Sequence, residues 1–316
     1  MKCLVLGGAG FIGSHVVDAL VEGGHEVRVF DRPNISTENL TSHLQDIQIV
    51  HGDFFNASDI ASALDGMEIV IHLISTTLPG PSNENPIYDV ESNVLSTLQL
   101  LDASVKGEVK KIIFASSGGT VYGMPERVPI PETHSTNPIC SYGITKLMIE
   151  KYIQLYHHLY GLNYTILRLA NPYGERQRLD NVQGLIAVLL GRLAKKRPVT
   201  IWGDGTVSRD YFYISDLVES FMMAIENISM KGIFNIASGK AISITEIIHT
   251  IERITGERFL VEQAPPRKLD VPINCLDISL SKKVLNWTPK VGLEDGIDRT
   301  WRWLKALENN KKSKID

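Results

Sequence analysis

Tyr142 and Lys146 lie four residues apart in Ser141-Tyr142-Gly143-Ile144-Thr145-Lys146, at the head of a helix expected to run to about Tyr160. Residues at i and i+4 share one helical face. An ammonium beside a phenol favours phenolate and lowers its pKa. A phenolate so placed can take a proton from an alcohol while hydride leaves the carbon. The other reading of the pair is an amphipathic helix with a solvated lysine. Upstream, Ser116-Ser117-Gly118-Gly119-Thr120-Val121-Tyr122-Gly123 follows a strand expected from Val109 to Ala115. Hydroxyls and glycines at the carboxyl end of a strand in an open α/β sheet belong to the ligand crevice.

A third group of residues is Gly7-Gly8-Ala9-Gly10-Phe11-Ile12-Gly13. The apolar run Cys3 to Leu6 enters it as a buried parallel strand. Phe11 to Glu22 leaves it with helical periodicity at Ile12, Val16, Val17, Leu20 and Val21. Glycines at 7, 10 and 13 let the backbone approach a pyrophosphate, to which the helix start offers free N–H groups and a favourable dipole. The spacing is G-x-x-G-x-x-G, and such a turn can also close an ordinary strand–helix corner. The following strand, Glu26 to Phe30, favours a dinucleotide because it ends in Asp31. An acid there accepts hydrogen bonds from ribose hydroxyls and repels a 2′-phosphate, which points to NAD over NADP. Arg32, next to it, is the residue that could pair with a phosphate. A nicotinamide charge would add to the effect of Lys146 on Tyr142.

The elements that must position these groups alternate between strand and helix. A third strand, Ile47 to Val50, runs into His51-Gly52-Asp53-Phe54. Asp53 could reach an adenine amino group and Phe54 could line the adenine pocket. Alternatively, Asp53 caps the helix from Ala57 to Leu64. Glu68 to Leu73 is a fourth strand with Ile74-Ser75-Thr76-Thr77 beyond it, and a long helix is expected over about Tyr88 to Ser104. The fold class is α/β, a Rossmann-like doubly wound parallel sheet with a smaller C-terminal α/β substrate lobe. Residues 1–170 form the cofactor domain, to which about 211–238 return, and 171–316 form mainly the lobe. There, helices are expected over Leu185 to Leu193, Asp216 to Ile225, Ser279 to Leu285 and Leu293 to Leu307. Strands are expected at Gly232 to Ile236 and Phe259 to Val261. Ser243 and Glu246 form a capping box for a helix ending near Ile254. Trp287, Trp301 and Trp303 read as packing residues, and Lys195-Lys196-Arg197 as solvated surface.

The 316 residues are 43% hydrophobic with a net charge of −4, which suits a globular chain with a large core and gives no basic block for nucleic acid. No apolar run approaches the roughly 20 residues of a membrane span, and the first residues read as a core strand, not a signal peptide. Cys3, Cys140 and Cys275 are scattered, show no metal spacing, and fit reduced thiols in a cytoplasmic protein.

Together these residues resemble the extended short-chain dehydrogenase/reductase family, in particular the UDP-glucose 4-epimerase-like nucleotide-sugar enzymes. The similarity covers nearly the whole chain. It continues through His72-Leu73, Asn93, Arg168-Leu169-Ala170-Asn171-Pro172-Tyr173-Gly174, Trp202-Gly203-Asp204-Gly205, Arg209-Asp210-Tyr211, Tyr213-Ile214-Ser215-Asp216 and Pro266-Arg267-Lys268-Leu269-Asp270-Val271-Pro272. The resemblance implies bound NAD and a nucleotide sugar seated between the lobes. It places Gly7, Gly10, Phe11, Ile12, Gly13, Leu73 and Ser75 with Asp31, Arg32, Asp53 and Phe54 at the cofactor. Asn171 would contact the diphosphate. Arg209 and Arg267, with Asp270, would clamp phosphates or uridine, and Gly184 and Leu185 would border the nucleotide and sugar. A homodimer through the helices near Tyr88–Ser104 and Tyr142–Tyr160 is also implied.

Three departures sharpen the expectation. The family's catalytic hydroxyl falls at Gly118 here, so a neighbour must stand in. Ser117 is the first choice, Thr120 the second, and Ser116 reads as structural. Gly119 and Thr120 occupy places where the dehydratase and decarboxylase branches carry acids, which disfavours 4,6-dehydration. The position screening the sugar 2-substituent falls at Asn274, which leaves room for an acetamido group. The expected activity is an NAD-dependent 4-epimerase of UDP-Glc/UDP-Gal, UDP-GlcNAc/UDP-GalNAc or both, proceeding through a 4-keto sugar; surface polysaccharide synthesis would use such products. A keto-sugar or carbonyl reductase of the same superfamily is the alternative. A dinucleotide-sensing scaffold is a third reading, opposed by Tyr142 and Lys146.

Overall fold

The structure, a computed structural model, describes residues 1–180, 183–266 and 271–312. Its first strand, β1 (Lys2–Leu6), shows why these apolar runs form a covered parallel sheet. Cys3 and Val5 point into one core and Leu4 and Leu6 into a second, so the strand is buried on both faces. Around it lie β2 (Glu26–Asp31), β3 (Ile47–His51), β4 (Ile69–His72), β5 (Lys111–Ser117) and β6 (Asn163–Leu169). All pair in parallel, and with the later strand Gly232–Ile236 the order across the sheet from that strand is β6, β5, β4, β1, β2, β3. The strand order reverses between β1 and β4, and the crevice beyond the carboxyl ends of such strands is where ligands bind.

Helices cover both faces. The first core packs α1 (Phe11–Glu22) with Ile214–Glu226; the second packs α2 (Ala57–Leu64), α4 (Ser96–Lys106) and α5 (Ser141–Tyr160). A short α3 (Pro86–Asp89) precedes α4, and the turn between them, Val90–Leu95, is π-helical. The single helix expected over 88–104 is therefore widened in its middle. The physical reason lies in its side chains. Ser92 Oγ donates to Tyr88 O (2.6 Å), Asn93 Nδ2 to Asp89 O (3.1 Å) and Thr97 Oγ1 to Asn93 O (2.5 Å), competing for i−4 carbonyls.

Past β6 the chain builds a smaller unit. Its strands are β7 (Asn171–Tyr173), β8 (Val199–Trp202) and β9 (Ser208–Tyr213); its first helix is α6 (Leu185–Ala194). Helix α7 (Ile214–Glu226) and β10 (Gly232–Ile236) then complete the large sheet. The chain finishes with β11 (Ala241–Ser243), α8 (Ile244–Thr255), β12 (Val261–Ala264), α9 (Ser279–Leu285) and α10 (Leu293–Lys312). The two small sheets are β11-β9-β7 and β12-β8. The strand expected at 259–261 starts later because its pairing partner, β8, aligns with Val261 onward, while Phe259 is buried. The Ser243/Glu246 capping box is present, and Trp287 is fully buried with Nε1 donating to Asp216 O (2.8 Å). Among the described residues no helix is long and apolar enough to cross a membrane.

Candidate active site

The glycine turn joins β1 to α1. Gly7 adopts a positive φ of 83°, and a Cβ on Gly13 would lie 2.2 Å from Gly7 O, so bare backbone is needed where the helix crosses the strand. Gly10 is the N-cap of α1 and supplies no side-chain cap. The first-turn N–H groups thus remain for an anion. Asp31 closes the same end of the sheet and accepts the Ala9 N–H (3.2 Å) and the Arg32 N–H (2.9 Å). Burial raises its pKa against those two donors. Asp53 is exposed just past β3 and accepts the Phe55 N–H; α2 is capped instead by Asn56. Phe54 is buried, with its ring 5.3 Å from that of His72, so its ring serves the core. Leu73 donates its N–H to Leu6 O, and Ser75 is exposed in the loop after β4. These residues present an uncapped helix start, a glycine turn and an acid at the end of β2, a donor and acceptor set that suits a dinucleotide.

Helix α5 lies against the end of β5 turn by turn. Gly143 abuts the Thr120 carbonyl, where an added Cβ would lie 2.8 Å away. Lys146 Nζ donates to Ala115 O (2.9 Å), and Glu150 accepts from Ser116 Oγ (2.5 Å). These contacts bring Tyr142 beside the 117–120 turn. The strand runs further than expected, because Ser116 and Ser117 still pair with Arg168 and Leu169. Strand alternation sends Ser116 to the buried Glu150, leaving Ser117 on the other face, partly exposed. Thr120 Oγ1 is buried without a partner.

The phenol is more basic than expected. Burial pushes Tyr142 up to about 12, with a hydrogen bond from Ser75 acting in the opposite direction. Burial also pulls Lys146 down to about 8, opposed by Asp89 and Glu150. Lys146 Nζ sits 5.7 Å from the Tyr142 ring centroid and 4.7 Å from that of Phe114. Desolvation is the largest influence on the phenol's pKa.

Asp89 and Glu150 were not singled out from the sequence. Asp89 is fully buried and accepts from Thr77 Oγ1 (2.5 Å), Asn93 Nδ2 (2.9 Å), Ser141 Oγ (2.6 Å) and Thr145 Oγ1 (3.4 Å). It ties α3 to the start of α5. Glu150 takes a two-point contact from Arg168 (3.0 and 2.6 Å). The signal for Glu150 was its spacing, one further i+4 step along the Tyr142–Lys146 face.

On the facing lobe, Asn171 Nδ2 donates to Asp210 O (3.0 Å) across the β7–β9 pair. Arg209 Nη1 donates to Ser208 O (2.9 Å) and Val271 O (2.6 Å). Gly184, at a φ of 90°, caps α6 ahead of Leu185 and lies against Gln177, which reaches Pro172 O. Asn274 is 1% exposed and donates through Nδ2 to Gly118 O (3.2 Å). The expected Arg267 and Asp270 contacts lie outside the described residues.

Residues 3–237 match the description "NAD dependent epimerase/dehydratase family". The chain belongs to that family. NAD is its cofactor. A Methanocaldococcus jannaschii protein, named provisionally as a UDP-glucose 4-epimerase, is 38% identical over 98% of this chain and 99% of its own. An Escherichia coli dTDP-4-dehydro-6-deoxyglucose reductase is 34% identical over 94% of this chain and 95% of its own. The crystal structure of a Thermotoga maritima UDP-glucose 4-epimerase with UDP-glucose matches with a TM-score of 0.91 at 37% identity, covering 98% of this chain and 100% of that one.

Proposed function

We propose that this chain is a UDP-hexose 4-epimerase that keeps NAD bound through each turnover. The observation that carries the reading is the docking of α5 on β5, which sets Tyr142 and Lys146 beside the hydroxyl-bearing 117–120 turn. NAD, when bound, supplies the acceptor that takes the C4 hydride and gives it back. The chain's own residues do the rest. Tyr142 takes the C4 hydroxyl proton and returns it; burial holds its phenol protonated, so positive charge nearby must bring that pKa down for the phenolate to form. Lys146, held on Ala115 O, supplies part of that charge. Ser117 and Thr120 offer hydroxyls to the sugar O4; Thr120 Oγ1, buried and unpartnered, is the one in need of a ligand group.

Asn171, Arg209, Arg267 and Asp270 anchor the nucleotide diphosphate from the lobe formed by 171–316, with Gly184 and Leu185 at its border. Anchoring through the phosphates, not the ring, lets the 4-keto sugar turn and present its other face. Exposed Leu95, Ile144, Leu155 and Leu159 form an apolar strip on the π turn and α5 that suits a homodimer.

The test is NMR of the purified protein with UDP-glucose, and separately with UDP-N-acetylglucosamine, without added cofactor. Galacto-configured anomeric signals are expected, and the faster substrate identifies the preferred 2-substituent. No conversion of either, with NAD supplied, overturns the reading. The similarity to the E. coli reductase supports a second reading, a keto-sugar reductase; stoichiometric consumption of reduced cofactor with a 4-keto sugar would establish it.

A further inference from the structure

Residues 271–277 run as a strap from the lobe to the hydroxyl turn. At one end Val271 O accepts from Arg209, and Pro272 O accepts the Ser208 N–H (2.9 Å). In the middle the Asn274 N–H donates to Ser208 O (3.1 Å) and its Nδ2 to Gly118 O. At the other end Leu276 fills the space beside Gly118, where an added Cβ would lie 2.4 Å from Leu276 Cδ1. The Leu276 N–H is itself fixed on Asp210 Oδ2 (3.3 Å).

Gly118 is thus held on both sides of its own residue. Its N–H donates to Leu169 O (2.8 Å), from the sheet, and its carbonyl is held by Asn274, from the lobe. The cost of this arrangement is visible, because Asn274 Oδ1 is buried with no partner. A position needed only for packing would be better filled by an apolar side chain of that size. The amide does one thing a hydrocarbon could not, which is to grip the Gly118 carbonyl.

We propose that Asn274 is a positioning residue whose amide sets the Ser117–Thr120 turn, with Leu276 occupying the volume that a side chain at 118 would need. This rests on the epimerase reading and deepens it. The strap ties the arginine on the phosphate side to the turn that meets the sugar O4, and so fixes the distance between anchor and reacting carbon. It also accounts for Gly118: the hydroxyl is missing there because Leu276 stands in its place.

The experiment compares Asn274→Leu with the unmodified holo protein. Turnover of UDP-glucose is expected to fall about tenfold or more, the loss from one buried hydrogen bond to a reacting turn, while UDP affinity stays within about twofold. Amide hydrogen exchange in peptide 116–122 is expected to rise, because the Thr120 and Val121 N–H groups close on Ser117 O within that turn. Unchanged turnover, unchanged exchange, or a fall in UDP affinity that matches the fall in turnover each overturns the proposal. Should Asn274→Leu fail to fold, Gly118→Ser is compared with Gly118→Ser/Leu276→Ala. The single variant is expected to lose tenfold or more and the double variant to recover most of it; a fully active single variant overturns the proposal. If the unmodified protein converts no UDP-hexose, the epimerase reading falls, whereas the exchange and UDP-binding results still decide the role of Asn274.

Discussion

At the glycine turn the contacts that matter are made between near neighbours: Gly13 presses on Gly7 and Gly8, and Gly10 donates its N–H to Gly7 O. At the hydroxyl turn they are made across the chain. Gly118 is held by Leu169 and by Asn274, the latter 156 residues away, and Asp210 gathers the N–H groups of Ser238, Gly239 and Leu276. The first region is a local motif that any strand–turn–helix of this sequence would form. The second exists only when both lobes have folded against each other, so the pairing of its residues is not announced by their spacing.

Gly13→Ala should have the largest effect. Its Cβ would meet backbone at 2.2 and 2.7 Å, which side-chain repacking cannot relieve, so a loss of about 3 kcal/mol or more is expected together with loss of bound NAD. Melting temperature and cofactor absorbance read both, and wild-type values would mean the turn widens freely. Tyr142→Phe should lower turnover roughly 10³-fold with NAD content unchanged; a loss of NAD instead would make Tyr142 a structural residue of the cofactor end.

Asp210→Ala strips an acceptor from the Ser238, Gly239 and Leu276 N–H groups and the Ser238 hydroxyl (2.6 Å). About 3 kcal/mol should be lost on chemical denaturation, with UDP affinity falling and NAD affinity retained. Parallel loss of both would erase the distinction between the two regions.

His72 gives a subtler test at the boundary between cofactor loop and core. Thr97 Oγ1 already donates to Asn93 O, so His72 Nε2 is assigned as the donor to Thr97 (3.0 Å), and Nδ1 is buried without a partner. Burial, with Lys146 nearby, lowers its pKa from 6.5 to about 3. The folded imidazole is neutral where the unfolded one binds a proton. Its contribution is therefore complete above pH 6.5 and is lost between 6.5 and 3, by up to about 1.4 kcal/mol per pH unit. Stability of His72→Phe against pH should lack that slope; an identical slope would place the acid sensitivity elsewhere. Ser243→Ala, which removes only the side-chain cap of α8, should cost only about 1 kcal/mol and leave turnover unchanged.

Much of the fold was legible because periodicity is local. Phe11–Glu22, Ala57–Leu64, Gly232–Ile236 and Ser279–Leu285 stand where their apolar spacing puts them. The π turn at Val90–Leu95 was not legible, since it depends on which side chains take i−4 carbonyls inside a packed helix. Asp89 was invisible for a related reason. Its partners Thr77, Ser141 and Thr145 come from other elements, and nothing in their spacing announces a shared carboxylate.

The strand–turn–helix at Gly7–Gly13, the acid at the end of β2, the Tyr142–Lys146 face and the missing hydroxyl at Gly118 are written in the chain itself, because each is a property of residues within a few positions of one another. Burial of the Tyr142 phenol, which lifts its pKa, and the seating of Leu276 in the place of the missing side chain come from the packed fold. It also decided that Asn274 grips the turn. Desolvation, excluded volume and a buried hydrogen bond all depend on which distant atoms end up in contact, and that is settled when the two lobes pack.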